Sequence, residues 1–141
     1  MPQLRTNLKL TDIKVLLIDD MRASRSQLQR SMSTLGFTKI DQVQGVIPAV
    51  EKLQAGPYDL IITGWKMPNG TGLDLLKACR QDANFDNVAI LLTSSENDPQ
   101  SINEIMKEGA TGYIPRPCSE NELTGHLEKA LEWIERRKAM I

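Results

Sequence analysis

Two carboxylates stand side by side at Asp19-Asp20, directly after the apolar run Val15-Leu16-Leu17-Ile18. Adjacent carboxylates repel each other and are costly to bury unless a cation is shared, so a hard divalent ion such as Mg2+ is their natural complement. The bland alternative is a solvated cap for a helix beginning near Arg22. Three more chemically able groups follow other short apolar runs. Thr93 closes Val88-Ala89-Ile90-Leu91-Leu92, Arg116 follows Thr111-Gly112-Tyr113-Ile114, and Asp59-Leu60-Ile61-Ile62-Thr63 opens into Gly64-Trp65-Lys66-Met67-Pro68-Asn69-Gly70. The other candidates carry less. Cys79 and Cys118 lack a C-x-x-C partner and read as core thiols. His126 has no metal-ligand spacing around it and reads as a surface or half-buried helix position. Gly70-Thr71-Gly72 lacks the Gly-Lys-Ser/Thr of a phosphate loop and reads as a turn.

The elements that must position these groups alternate. The apolar runs, with a weaker one at Lys39-Ile40-Asp41-Gln42-Val43, are continuous rather than alternating, as in parallel strands buried on both faces. Between them lie helical stripes: Met21, Leu28, Met32 and Leu35; Val46, Ile47, Val50 and Leu53; Leu73, Leu76 and Cys79; Ile102, Ile105 and Met106; Leu123, Leu127, Ala130, Leu131 and Ile134. Gly36, Gly56 and Gly109 fall where helices should stop, and Ser119 with Glu122 makes a capping box for the last one. Strict alternation predicts an α/β, doubly wound (βα)5 fold of flavodoxin-like type. The least apolar strands, the second and the Pro115-ended fifth, fit as edges, giving a five-stranded parallel sheet of order 2-1-3-4-5. Ligands in such sheets sit beyond the carboxyl ends of the first and third strands, where Asp19, Asp20 and Gly64 lie.

In that order the motifs LLIDD (16–20), YDLIITGWKMPNGTG (58–72), LLTSS (91–95) and GATGYIPRP (109–117) resemble the CheY-like receiver domain of two-component response regulators over residues 13 to about 137. The resemblance implies residues 1–12 as an N-terminal extension and 13–141 as a single receiver domain, acting in phosphorelay signal transduction rather than as an enzyme. It matches Asp19 and Asp20 to an acidic pocket that holds Mg2+ together with the backbone carbonyl of Lys66. It matches Thr93 and Tyr113 to switch positions, Arg116 to the position of a phosphoryl-binding lysine, and Gly64 to the phosphoacceptor aspartate. It further implies a cis Arg116-Pro117 bond. Its partners would be a sensor histidine kinase or a downstream effector, docking on the face of the fourth helix, fifth strand and fifth helix, near Tyr113 and residues 102–107.

Two departures strike the chemistry. Glycine at 64 has no nucleophile and removes one metal carboxylate, so Mg2+ binding is weakened or absent. Asp59 cannot replace it, lying five residues back, roughly 16 Å along a strand. Arg116 keeps a charge that can pair with Asp19 or Asp20, and Lys66, beside Trp65 near the pocket, is placed to reach the acidic pair as well. The sequence is therefore that of a pseudo-receiver acting without phosphorylation. A second reading is an acceptor-less variant of an ordinary phosphorylatable chemotaxis-like regulator, although one change would not account for Arg116. A flavodoxin would have its flavin phosphate repelled by the two carboxylates, and a Mg2+-dependent phosphohydrolase would show D-x-D-x-T where this chain has D-D-M-R.

Composition bounds the rest. The 141 residues, 40% hydrophobic and 25% charged, suit one globular domain, and a net charge of -1 gives no electrostatic footprint for nucleic acid. The longest apolar run, 88–92, is far below the ~20 residues of a membrane span, the amino terminus lacks a signal-peptide core, and the two cysteines suit a reducing cytoplasm.

Overall fold

The computed structural model describes residues 4–67, 69–96 and 98–140. In chain order the elements are β1 (Lys14–Ile18), α1 (Arg22–Leu35), β2 (Lys39–Val43), α2 (Val46–Ala55), β3 (Leu60–Gly64), a small hairpin of β4 (Lys66–Met67) and β5 (Gly70–Thr71), α3 (Gly72–Arg80), β6 (Ala89–Ser94), α4 (Pro99–Lys107), β7 (Gly112–Pro115) and α5 (Glu120–Ala139). The main sheet has the order β2-β1-β3-β6-β7, all parallel, which is 2-1-3-4-5 once the hairpin is set aside. The weakest strands are the edges, and proline is tolerated at 115 because β7 has no neighbour on its outer side.

The central strands β1, β3 and β6 are buried on both faces, which is why their sequences run apolar without alternation. Leu17, Leu60, Ile62 and Leu91 pack under α1 and α5 with Met32, Leu127 and Leu131. Leu16, Ile61, Ile90 and Leu92 pack under α2, α3 and α4 with Ala49, Leu76 and Ile105. Each such fully buried aliphatic side chain contributes about 1.5–3 kcal/mol. Ahead of β1, Leu4, Leu8 and Leu10 of the N-terminal segment pack against the α1/α5 side. Cys79 is buried, its thiol pushed up to about 11 by burial, and Cys118 is half-buried.

The helix boundaries follow local chemistry. Gly36 caps α1 at φ 120, a conformation open to glycine, and Ser119 with Glu122 closes a capping box on α5. A second box, Thr71 with Asp74, starts α3, so Thr71 is a cap as well as part of the turn. Five apolar residues depart from the helical stripes. Met21 precedes α1 and is exposed, as are Ile47 and Met106, and α3 buries Leu75 beside Leu76 while Leu73 is only partly covered. The amino-terminal ends of the strands are held by Arg80. Its guanidinium donates from Nε to the carbonyl of Gly109, from Nη1 to Phe85 and from Nη2 to Val88, each at 2.9 Å, and lies 5.5 Å from the Trp133 ring.

Candidate functional site

Parallel strands end on the same side, so the residues that follow Ile18, Thr63, Leu92 and Ile114 converge. The register sets Ile18 beside Thr63, Gly64 beside Thr93 and Thr93 beside Ile114. Asp19 follows directly and is 8% exposed. Its Oδ1 accepts the Met21 N–H at 2.9 Å and its Oδ2 accepts from Arg116 Nη1 at 3.2 Å, so both oxygens are engaged. Arg25, in the first turn of α1, donates to the Asp19 carbonyl at 2.6 Å and to the Gln42 side chain. Asp20 is exposed, lies against the Asp19 carboxyl and borders a surface pocket with Gln44, Gly45 and Asn69.

Gly64 is the last residue of β3, buried, and a Cβ built there would lie 3.6 Å from Asp19 Cγ and Oδ2. A side chain at 64 therefore has ordinary contact room and would point at Asp19. The backbone around it is set from below: Gly72 N–H donates to the Trp65 carbonyl at 2.7 Å, and a Cβ on Gly72 would come within 2.2 Å of the Gly64 carbonyl oxygen. Only glycine permits that approach. Asp59 sits at the opposite strand end, accepting the Lys14 N–H at 2.9 Å, away from this cluster.

The other residues fall as follows. Thr93 is buried in the pocket, and its hydroxyl has no hydrogen-bond partner among the described residues. The Tyr113 hydroxyl lies 3.0 Å from the Ser94 carbonyl and 2.9 Å from that of Glu96. The Arg116-Pro117 peptide is cis, and Arg116 Nε is buried without a hydrogen-bond partner. Trp65 packs, partly buried, against the α2/α3/α4 side of the core. Lys66 corrects the sequence expectation: its Nζ pairs with Glu96 Oε1 at 2.9 Å and does not reach the acidic pair, because β4 turns its side chain outward, where both partners are largely exposed. Glu96 and Arg25 are site-region residues that the sequence motifs did not single out, and Thr71, inside the 58–72 motif, reads from sequence only as part of a turn. Pro68 lies outside the described residues.

Burial raises the Asp19 carboxyl above its ordinary 3.8, against the Met21 hydrogen bond and Arg116, and Asp20 adds to the rise. A carboxyl whose pKa is raised by folding binds its proton more tightly in the native state, so stability falls as pH rises from 3.8 through the raised value. Urea unfolding across that window is expected to show a steeper acid-side gain for the unaltered chain than for Asp19→Asn. Equal pH profiles would contradict the assignment.

For a divalent ion the donor set is short. Among the described residues no three His, Cys, Asp or Glu side chains converge. Asp19 is already occupied by Arg116, Asp20 is solvent-exposed beside it, and Gly64 offers no oxygen beyond its backbone. A Mg2+ ion here would have to displace Arg116 from Asp19 and take Asp20 as its only other carboxylate among the described residues, a weak donor set for an octahedral ion. Among the described residues no helix is long and apolar enough to cross a membrane.

The comparisons bear on the same fold. The model of the response regulator receiver domain matches residues 15–128. A chemotaxis protein CheY of Pseudomonas aeruginosa is 31% identical over 120 residues, covering 85% of this chain and 97% of that protein. The solved chemotaxis response regulator CheY4 of Vibrio cholerae superposes with TM-score 0.78 at 28% identity, covering 84% of this chain and 98% of that one. A signal receiver domain of an HD domain-containing protein from Pseudomonas fluorescens shares the fold at TM-score 0.83 and 22% identity, over 98% of both chains. With sequence, strand order and strand-end cluster in agreement, the chain belongs to the receiver domain family of response regulators in two-component signalling.

Proposed function

We propose that this chain is a pseudo-receiver: a receiver domain over residues 13–141, preceded by a 12-residue extension, that signals through protein contacts without carrying a phosphoryl group. The observation that carries this is Gly64, buried at the end of β3 and facing Asp19, where a phosphoacceptor carboxylate has its place in the resembling family. No side chain there can take a phosphoryl group. The Arg116 guanidinium sits on Asp19 Oδ2, so a fixed cation neutralises the carboxylate that would otherwise ligate Mg2+. The pair is partly screened, and its role is to fill the site more than to stabilise the fold.

Output then depends on a partner. The family resemblance points to a sensor histidine kinase or an effector that docks on the face of α4, β7 and α5, where Met106 is exposed and the Tyr113 ring is tied over β6. The chain has no catalytic step of its own in this reading.

The test uses the unaltered protein. Incubated with acetyl phosphate and Mg2+, it is expected to take up no phosphoryl group, and Trp65 emission is expected not to titrate with sub-millimolar Mg2+. Stable labelling, or a saturating sub-millimolar fluorescence change, would refute the proposal.

A further inference from the structure

Between α1 and α5, opening beside the site, lies a cavity of about 440 Å3. Its walls are Leu28 and Ser31 of α1 and Leu123 of α5, and its floor is Ile62 and Ile114. The volume is that of ordinary small-molecule sites, which combine an apolar lining with a few polar groups at one end. Here the polar end is formed by Asp19, Thr93 and Arg116. Ser24, Gln27 and Ser95 also line the cavity. Asp19 has both oxygens engaged, whereas the Thr93 hydroxyl and Arg116 Nε have no protein acceptor among the described residues.

We infer that this cavity binds a small, mainly apolar molecule carrying a neutral carbonyl, with the carbonyl oxygen accepting from Arg116 or Thr93 and the apolar body lying between Leu28 and Leu123. A neutral head suits the site better than a carboxylate. Arg116 is already balanced by Asp19, and the uncompensated Asp20 nearby repels an anion. Occupancy touches the hydroxyl and cation that the receiver resemblance assigns to phosphoryl oxygens, so the ligand stands where phosphorylation would act. That regulatory meaning rests on the pseudo-receiver proposal, while the binding itself does not.

Benzophenone, an apolar ketone, is a suitable probe, with diphenylmethane as the same two rings without the oxygen. In amide-resolved NMR titrations of the full chain, benzophenone is expected to give saturable shifts centred on Leu28, Ile62, Thr93 and Leu123. Diphenylmethane is expected to bind several-fold more weakly, and Arg116→Met to lose a similar factor for the ketone alone. Ser31→Phe, which fills the cavity from α1, is expected to weaken binding at least tenfold with its spectrum still dispersed. No saturation up to the solubility limit, shifts centred elsewhere, or equal binding of both probes would overturn the inference, and none of these three measurements needs a variant. Acetyl phosphate labelling of the unaltered chain would refute the pseudo-receiver proposal alone.

Discussion

Gly64→Asp is expected to turn this chain from one that takes no phosphoryl group into one that does, with acetyl phosphate as donor and Mg2+ present. The step is a displacement at phosphorus: a carboxylate oxygen at 64 forms the new P–O bond, and acetate leaves with the electrons of the old one. The fold already accommodates the side chain. Its Cβ would meet Asp19 at 3.6 Å, ordinary contact, and position 64 has no left-handed backbone to strain. Thr93 is its neighbour in register, with a free hydroxyl. The cost is electrostatic. A third carboxylate beside Asp19 and Asp20 is repelled, on a scale of about 4 kcal/mol for two charges 4 Å apart at an effective dielectric of 20. In EDTA the variant should therefore melt several degrees below the unaltered chain, and Mg2+ should restore most of the loss. If neither chain is labelled while the variant gains Mg2+-dependent stability, Arg116 blocks the phosphoryl position, and Gly64→Asp combined with Arg116→Lys is expected to recover labelling. A variant that neither labels nor responds to Mg2+ would show that position 64 does not face the acidic pair.

The largest stability effect is expected far from that site, at Arg80→Ala. Arg80 satisfies three backbone carbonyls from two connections, two in the 83–88 link and one after α4, while its guanidinium lies 5.5 Å from the Trp133 ring of α5. Burial works against its charge, so the group is retained because of what it bonds. Hydrogen bonds from a charged donor are worth roughly 1.5–3 kcal/mol each, and losing one partner leaves the other unsatisfied. Truncation is expected to cost about 3–5 kcal/mol, lowering the melting temperature by roughly 10 °C or more. Arg80→Lys should recover less than half, because one ammonium cannot address three diverging carbonyls. Urea midpoints for the three proteins measure this directly. A loss under ~1 kcal/mol for the alanine variant would show that these bonds are replaced by water at little cost.

How far the sequence could be read depended on the kind of partner each residue has. Ile61, Ile62, Ile90 and Leu91 are apolar on both strand faces because both faces are covered, so the parallel sheet, its order and its edges were legible from composition along the chain alone. Asp19 was legible for the same reason: a paired carboxylate at a strand end is costly enough to be conspicuous. Arg80 was not, since its acceptors are backbone carbonyls, which leave no mark on residue identity. Lys66 was misplaced because a long flexible cation has several carboxylates within reach, and the competitor Glu96 lies 30 residues away. Met21 and Met106 match the helical period but sit where no partner covers them, which period alone does not reveal. The hairpin at 66–71 is only two residues deep on each side, too short to show any periodicity.

The close approach of Gly72 to the Gly64 carbonyl separates the shape of the site from the side chain at its centre. The bend after β3 is fixed by the start of α3, through a hydrogen bond and a 2.2 Å steric prohibition that involve no side chain at 64. The shape of the bend is thus independent of the side chain at 64. A carboxylate introduced at 64 would enter a bend already shaped to hold it. At 72 a single added methyl group would break that bend whatever stood at 64. Position 72, more than 64, sets whether the bend that a side chain at 64 would need is available.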